Sequence, residues 1–415
     1  MIPSLQSVSS SLKAYLEGYA LFQLARKVKR SVQNRFRKRE SIDEMVVSLQ
    51  PDSGLPSRGN VLLSYHIDAF LLKEGQPVPV SHSNIWESLQ MARTFQALGY
   101  SVNVIHWTNK TFVPEKEYAF FIDPRWNLQR LAPLLNKDCI KIMHIDLCHM
   151  LFNNAAESRR LLELQQRRGV TLLPRRYEVP NLGIEHADCA VVIGNEFTLN
   201  TFRYANKPMY RVPVFSAFRY PSPEEKDFDA CRKRFVWFGS GGLVRKGLDL
   251  VLDAFKEMPD FHLTVIGPIG KEPDFERTYH KELYETRNIH TIGWLDLSGP
   301  EFVETAKRCI GLIYPSCAEG QAGGVIICLH AGLIPIISYE SGVDVEDFGI
   351  ILRDSSIETI KETVQMVSSL PAEKLKRMAL KTWEFARAHH TREKFAEEYK
   401  KIITKLLEKT PGKKR

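Results

Sequence analysis

Short apolar segments alternate with segments of helical periodicity along most of the chain, and this alternation constrains the fold more than any other feature. Residues 61–65 and 102–107 are predicted strands, and residues 84–98 between them are a predicted helix. A charged stretch at 221–234 interrupts the pattern, which restarts with a predicted strand at 235–238. Alternating strands and helices form parallel sheets with helices on both faces. The sequence therefore predicts an α/β fold of two Rossmann-like βα domains that face a cleft.

The length of the chain also predicts two domains. A chain of 415 residues exceeds what one hydrophobic core usually supports. The predicted boundaries give a basic amphipathic extension and linker at 1–58, a first βα domain at 59–218, and a second at 219–388. Residues 389–415 are predicted to be a C-terminal helix followed by a basic tail.

Cysteine usage and hydropathy indicate which cellular compartment the protein occupies. The seven cysteines include no CxxC pair, so neither a disulfide framework nor a zinc site of that type is indicated. Such usage favours a reducing compartment. The longest apolar run, 325–337, is too short for a membrane-spanning helix, and the N-terminus does not match a signal peptide. The pattern thus favours a location in the cytoplasm.

The net charge of +8 is concentrated near the N-terminus. Residues 12–39 hold nine Lys and Arg against a single Glu, with apolar residues recurring near helical spacing. A basic amphipathic helix is typical of an element that binds an anionic membrane surface. The alternative is an extension that stays solvated or packs on the main body. Nucleic-acid binding is not predicted, because no recognition motif accompanies the charge.

The loop at 313–338, IYPSCAEGQAGGVIICLHAGLIPIIS, carries the clearest chemical signal. A predicted strand ends before a lone carboxylate, Glu319, and a predicted helix follows three glycines, Gly320, Gly323 and Gly324. The N–H groups at a helix N-terminus attract anions, and in open α/β sheets ligands bind at the carboxyl ends of strands. An acid beside an anion site predicts a ligand with both phosphates and hydroxyls, such as a nucleotide-sugar.

A second motif opens the predicted second domain. The segment 235–247, FVWFGSGGLVRKG, runs from a strand into a glycine-rich turn and ends with Arg245 and Lys246. Glycines allow the backbone to approach a phosphate closely, and the two cations can neutralise a diphosphate. The alternative interpretation is a tight turn whose cations face solvent.

Together these two motifs resemble the donor-binding domain of GT-B fold glycosyltransferases, and more narrowly the retaining "glycosyl transferases group 1" family. The first half resembles a subgroup found in bacterial polysaccharide clusters, through HSNIWES at 82–88 and AVVIGNEFT at 190–198. His149 with Asn154, Glu157 and Arg160 resembles another segment of that subgroup. The resemblance covers roughly residues 60–405, and it implies that the final helix returns to the first domain.

The resemblance also implies roles for individual residues. Catalytic roles fall on Lys246, Glu319 and His149. Donor binding falls on Gly239, Gly241, Gly242, Arg245, Lys246, Glu319, Gly320, Gly323, Gly324 and Val325. The residues that would line the acceptor side of the cleft are His82, Asn84, Trp86 and Asn154. No metal and no cofactor are expected, because cations and a helix N-terminus replace the divalent ion in such enzymes.

The implied activity is transfer of a hexose-type sugar from a nucleotide-diphosphate donor, with retention of configuration. The acceptor would be a polysaccharide or a lipid-linked glycan, and the enzyme would work in the bacterial cytoplasm at the inner face of the membrane. No second carboxylate is positioned for a covalent double displacement, which favours same-face transfer.

One position departs from the family pattern. The second acid of the family's E-x7-E motif, which holds the nucleotide ribose, is Ile327 here. A missing hydrogen bond to a charged group is worth about 1.5–3 kcal/mol, so binding would weaken without being abolished. The alternative function is therefore a catalytically impaired sugar-nucleotide-binding protein. A nucleotide-sugar epimerase is a more distant alternative, since those enzymes lack the RKG and PSxxEG pair.

Three further histidines, His66, His106 and His144, lie at or near predicted strand ends. Such residues could face a ligand, but a packed structural histidine is the favoured interpretation. No HExxH, Walker A or nucleophile-elbow sequence is present, which disfavours zincins, P-loop kinases and α/β-hydrolases.

Overall fold

The computed structural model describes residues 42–52, 56–80 and 83–409. The basic segment at 12–39, the basic tail at 410–415 and the predicted acceptor residue His82 lie outside the described residues. Within the described part of the chain, no helix is both long and apolar enough to cross a membrane.

The first domain contains a seven-stranded sheet with the order β1-β3-β2-β4-β5-β6-β7. Its strands are β1 Val46–Leu49, β2 Asn60–Tyr65, β3 Ser101–His106, β4 Phe120–Asp123, β5 Ile140–Ile145, β6 Cys189–Ile193 and β7 Met209–Val212. All neighbouring pairs are parallel except β1 with β3, which is antiparallel. The predicted extension and linker at 1–58 therefore contains a strand that was not predicted, since β1 forms one edge of the sheet.

The second domain contains a six-stranded parallel sheet with the order β10-β9-β8-β11-β12-β13. Its strands are β8 Arg234–Phe238, β9 His262–Ile266, β10 Ile289–Gly293, β11 Gly311–Tyr314, β12 Ile334–Ile337 and β13 Ile350–Ile351. Two parallel-sheet domains confirm the predicted α/β fold class. The central strands are apolar and buried on both faces, as parallel strands covered by helices require.

Helices cover both sheets. Those of the first domain are Ser83–Ala97, Trp126–Leu131, Met150–Arg168 and Glu196–Phe202. Those that follow are Phe228–Cys231, Leu248–Phe255, Pro273–Thr278, His280–Tyr284, Pro300–Arg308, Gly323–His330, Ile357–Ser368, Ala372–His389 and Arg392–Glu408.

The last helix, Arg392–Glu408, packs on the first domain. Its Phe395 and Tyr399 are fully buried, and the Tyr399 ring lies 6.5 Å from that of Phe95 in the helix Ser83–Ala97. The chain crosses over at His390, whose buried ring contacts the carbonyl oxygen of Val214 at 2.8 Å. The crossover therefore joins the C-terminus of the second domain to the body of the first.

The helix Met150–Arg168 belongs to the first domain but contacts the second along its length. Arg160 Nη1 donates to the carbonyl oxygen of Pro315 at 3.1 Å, and Arg167 Nη2 to Asp249 Oδ2 at 2.6 Å. Arg168 Nη2 reaches Glu282 Oε1 at 2.7 Å. These contacts hold the two domains together on one side of the cleft between them.

Candidate functional site

A cleft of about 400 Å³ separates the two domains at the carboxyl ends of their strands. Its first-domain wall includes Tyr65, Trp86, Arg125, Asp146, Arg176 and Glu178. Its second-domain wall includes Gly239, Lys246, Tyr314, Glu319, Gly323 and Gly324. Ligands of open α/β sheets bind at this edge, and ligands of two-domain proteins commonly bind between the domains. The two motifs singled out in the sequence therefore meet in one cleft.

Lys246 and Glu319 form a direct pair in this wall. Lys246 Nζ lies 2.7 Å from Glu319 Oε1 and 2.8 Å from Tyr314 Oη, and the Tyr314 hydroxyl donates to Glu319 Oε1 at 2.9 Å. The side chains of Lys246 and Glu319 are only 7% and 10% exposed. A cation and an anion thus lie side by side, both largely buried, in the wall of the cleft.

The backbone at Gly247 brings the two motifs together. Gly247 has a φ of +75°, and a Cβ there would lie 2.5 Å from the carbonyl oxygen of Pro315. Glycine avoids both the left-handed strain and the clash. The glycine-rich turn can therefore pack directly on the Pro315 loop, which places Lys246 beside Glu319.

The ionisable groups in the cleft wall shift one another's pKa values. Burial acts to raise the pKa of Glu319, but Arg245 and Lys246 outweigh it and hold that pKa well below the ordinary value. Burial lowers the pKa of Lys246, and Glu319 opposes this effect. Burial and the neighbouring Glu319 raise the pKa of Tyr314 well above its ordinary value, so that its hydroxyl stays a donor. The carboxylate of Glu319 is therefore ionised at neutral pH.

Arg245 lies behind Glu319 and is not among the residues that line the cleft. It is 1% exposed, and its Nε donates to Asn153 Oδ1 at 3.2 Å. Its Nη1 lies 3.2 Å from Glu319 Oε1, close enough for an ion pair but without hydrogen-bond geometry. The structure thus places the predicted diphosphate ligand Arg245 as a support for the carboxylate.

Two N–H groups of the glycine-rich turn already have a carboxylate partner. Glu272 Oε1 accepts from Gly242 N at 2.5 Å, and both Glu272 oxygens lie 3.3 Å from Leu243 N. Of the three predicted glycines of this turn, Gly239 lines the cleft, whereas Gly241 and Gly242 do not. The approach to a ligand on this side is therefore made by Gly239 and the Lys246 side chain.

The helix Gly323–His330 presents its N-terminus to the cleft. No side chain caps it at Ala322, and a Cβ added to Gly323 would meet no atom within 4 Å. Gly324 also lines the cleft and lies against the Phe238 ring. Free N–H groups and the helix dipole make this end an anion site.

Gly320 and Val325 are placed away from the cleft surface. A Cβ on Gly320 would lie 2.3 Å from the carbonyl oxygen of Asp146, and the Gly320 carbonyl oxygen accepts from Thr198 Oγ1 at 2.8 Å. Val325 is fully buried in the core. Gly320 therefore brings the Glu319 loop against the first domain, and Val325 anchors the helix.

Ile327 lines the cleft on the same helix. It is partly buried and packs against the core. The position at which the resemblance expects a ribose-binding acid thus presents an aliphatic side chain to the cleft.

Two of the predicted acceptor-side residues, Asn84 and Trp86, line the cleft. The Trp86 ring contacts the edge of Phe215 at a centroid distance of 4.8 Å. The guanidinium of Arg392 lies 5.1 Å from the Trp86 ring centroid. Trp86 is therefore a fixed aromatic wall on the side of the cleft opposite the Lys246–Glu319 pair.

His149 and Asn154 are placed outside the cleft lining. His149 caps the helix Met150–Arg168, because its Nδ1 accepts from Leu151 N at 3.3 Å. Its Nε2 lies 3.1 Å from the Tyr204 hydroxyl, and burial lowers its pKa. Asn154 pairs with the backbone of Glu178 through two hydrogen bonds of 2.9 Å. Asn154 thereby fixes a segment that does line the cleft.

Sequence reasoning missed Arg176, a cation in the first-domain wall. Two hydrogen bonds fix its segment. Glu157 accepts from Arg175 N at 2.8 Å, and Asn153 donates to the Arg176 carbonyl oxygen at 2.8 Å. The Arg176 side chain crosses to the glycine-rich turn, where its Cγ would lie 3.1 Å from a Cβ on Gly242. The only sequence signal was two adjacent arginines in an aperiodic segment.

Arg125 and its acidic partners were also missed. Arg125 Nε donates to Glu178 Oε2 at 2.9 Å, and its Nη2 lies 3.2 Å from Asp146 Oδ1. Burial acts to lower the pKa of Arg125, but Asp146 and Glu178 raise it above the ordinary value. These residues give the first-domain wall polar groups that can contact hydroxyls.

No family model matches the sequence, and no curated protein matches it either. Among solved structures, the chain is similar to sucrose-phosphate synthase from Thermosynechococcus elongatus, with a TM-score of 0.58, 14% identity, and coverage of 85% of this chain and all of that one. It is also similar to Anabaena HepE in complex with UDP and glucose, with a TM-score of 0.52, 11% identity, and coverage of 85% and 100%. At these identities the likeness concerns the fold. The chain therefore has the two-domain GT-B fold.

Proposed function

We propose that this protein is a retaining glycosyltransferase that transfers a hexose-type sugar from a nucleotide-diphosphate donor to a polysaccharide or lipid-linked acceptor. The observation that carries the proposal is the Lys246–Glu319 pair, 2.7 Å apart, in the wall of the cleft between two domains of a GT-B fold. The uncapped N-terminus of the helix Gly323–His330 opens on the same cleft. A cation, an anion site and a carboxylate are the groups that a sugar diphosphate needs.

The donor diphosphate would bind to three positive groups. Lys246, Arg176 and the N–H groups of the helix N-terminus all border the cleft. Together they supply the positive potential that a divalent ion supplies elsewhere, so the proposed enzyme needs no metal at the diphosphate and no cofactor. The HepE structure holds UDP and glucose, which makes UDP-sugars the first donors to test.

The proposed chemistry is same-face substitution. The bond between the anomeric carbon and the diphosphate oxygen breaks, and its electron pair stays with the nucleoside diphosphate, stabilised by Lys246. An acceptor hydroxyl forms the new bond on the same face and gives its proton to the leaving phosphate. Glu319 accepts hydrogen bonds from the sugar hydroxyls and keeps the ring oriented. Groups aimed at charge that develops in the transition state give the largest share of such catalysis.

The test is transfer from radiolabelled nucleotide-sugars by wild-type protein and by the variants Lys246→Ala and Glu319→Ala. The matched controls are Lys374→Ala and Glu373→Ala. They remove the same residue types at exposed positions in the first turn of the helix Ala372–His389. We expect transfer to fall at least about 100-fold in the cleft variants, as for the loss of one preorganised electrostatic group. Transfer near the wild-type rate in both cleft variants would show that the site is wrong.

The second candidate is a sugar-nucleotide-binding protein with impaired catalysis, and Ile327 in the cleft lining favours it. Calorimetric titration with UDP-, GDP- and dTDP-sugars separates the two functions. Tight binding without turnover would support the second candidate. The substitution Ile327→Glu should then strengthen binding by about 10- to 150-fold, since a hydrogen bond to a charged group is worth about 1.5–3 kcal/mol.

A further inference from the structure

Two histidines and an aspartate meet at the carboxyl ends of β2 and β3. His106 is the last residue of β3 and pairs in register with Tyr65, so His66 follows directly on the neighbouring parallel strand. One ring nitrogen of each histidine and one oxygen of Asp68 lie within 4.8 Å of one another. The His66 and His106 ring centroids are 5.7 Å apart, and His66 Nδ1 lies 3.7 Å from Asp68 Oδ2. The strand register itself therefore creates this group.

Hydrogen bonding fixes the tautomer of His106. The Thr108 hydroxyl contacts the carboxylate of Asp43, which can only accept, so the hydroxyl donates there. The Thr108 oxygen is then the acceptor for His106 Nδ1–H, at 2.5 Å. This contact outweighs the 3.4 Å approach of Thr108 N to the same nitrogen. The other ring nitrogen, Nε2, is left with a free lone pair.

We propose that His66, Asp68 and His106 bind one divalent transition-metal ion of the Zn²⁺ type. A ligating histidine that donates its second nitrogen toward a carboxylate is the usual arrangement at zinc sites, and here Thr108 and Asp43 supply that outer partner. Two imidazoles and a carboxylate are ligands that Zn²⁺ prefers, with a fourth position left for water or a ligand.

The dimensions of the group allow this site. Zinc–ligand bonds of about 2.0–2.2 Å place the ligand atoms of a tetrahedral site about 3.3–3.6 Å apart. The three ligand atoms already lie within 4.8 Å of one another, so they need to approach by no more than about 1.5 Å, and the Asp68 side chain, which is 46% exposed, has room to move.

The site is distinct from the proposed diphosphate site. Its ligands belong to the first domain, whereas Lys246 and Glu319 belong to the second. Because Asp43 precedes β1 and contacts His106 at 3.2 Å, the ion would also tie the start of the described chain to the strand ends. His66 lines the cleft, so the ion would lie at the edge of its first-domain wall.

The experiment is calorimetric titration of chelator-treated, full-length protein with Zn²⁺, followed by the visible spectrum of the Co²⁺ form. Variants are His106→Ala, Asp68→Ala and Thr108→Val. The matched control is His290→Ala, because His290 and His262 form a second surface histidine pair, 3.4 Å apart, without a carboxylate in the pair. The melting temperature in chelator reports whether each variant is folded.

We expect one Zn²⁺ per chain, a tetrahedral Co²⁺ spectrum, and a melting temperature that rises with Zn²⁺ in the wild type. Loss of His106 should weaken binding by more than about 100-fold, and Thr108→Val by about 10–100-fold, as outer partners of metal ligands do. The control should bind as the wild type. The proposal is overturned if no saturable binding is found, if Asp68→Ala binds as the wild type, or if His290→Ala abolishes binding.

Discussion

Replacing Gly247 with alanine tests whether close packing of the glycine-rich turn on the Pro315 loop creates the site. The residue has a φ of +75°, and its new Cβ would lie 2.5 Å from the Pro315 carbonyl oxygen and 2.6 Å from Pro315 Cγ. The left-handed conformation costs a residue other than glycine about 1–2 kcal/mol. The forced contact adds about 1–3 kcal/mol, as overpacking of an interior does.

The chain offers a matched control for the backbone effect. Gly169 has a φ of +67° at the C-terminus of the helix Met150–Arg168, and a Cβ there would meet no atom within 4 Å. Gly169→Ala should therefore lower the free energy of unfolding by only about 1–2 kcal/mol, the backbone effect alone. The difference between the two variants isolates the clash with Pro315.

The assays are equilibrium urea unfolding of both variants and sugar transfer from radiolabelled nucleotide-sugars. We expect Gly247→Ala to lose about 1–3 kcal/mol more than Gly169→Ala. We also expect the proposed sugar transfer to fall about 100-fold, because displacing a group that takes part in catalysis by about 1 Å has this effect. Equal losses of stability in the two variants, or unchanged transfer in Gly247→Ala, would refute the reasoning.

Three further predictions concern other parts of the molecule. Burial lowers the pKa of His390 to about 4, below its value in the unfolded chain, so on acidification the unfolded state takes up the proton first. The free energy of unfolding should therefore fall by about 3 kcal/mol between pH 7 and pH 4. Urea titrations at each pH measure this fall, which should be smaller in the variant His390→Asn. Arg176→Ala should weaken donor binding about tenfold in calorimetry, whereas Arg203→Ala, a control at an exposed ion pair, should leave it unchanged. Removing residues 1–45 should reduce co-sedimentation with anionic vesicles, and equal pelleting of both forms would rule out membrane binding by residues 12–39.

The fold was predictable because periodicity and strand composition are local signals. Apolar runs such as β6 and β11 are buried on both faces, which is how the sequence marks a parallel strand. The strand β1 was not predictable in this way. It is an edge strand whose side chains are half exposed, and the segment that follows it, 51–57, is rich in the Pro, Ser and Gly typical of a linker.

The site was predictable in part. The meeting of Lys246 with Glu319 follows from the motif that each one carries, since both motifs end at the same edge of one sheet. The partners that surround them come from distant segments. Glu272 accepts a hydrogen bond from the Gly242 N–H of the glycine-rich turn although it lies 30 residues away in the sequence. No local sequence pattern predicts such a contact. Arg176 likewise reaches the cleft on a segment without periodicity.

The two adjacent cations at 245 and 246 have different positions and therefore different consequences. Glu319 is buried, and an isolated buried carboxylate is strongly unfavourable. If Lys246 were the sole partner of Glu319, turning its ammonium group toward a diphosphate would leave the buried carboxylate without a counter-charge. Arg245 lies 3.2 Å from the same oxygen and takes no part in the cleft lining, so it can remain with Glu319 when Lys246 moves. The pairing of one carboxylate with two cations thus leaves Lys246 available for the proposed donor, while Arg245 keeps Glu319 ionised and positioned for the proposed sugar contact.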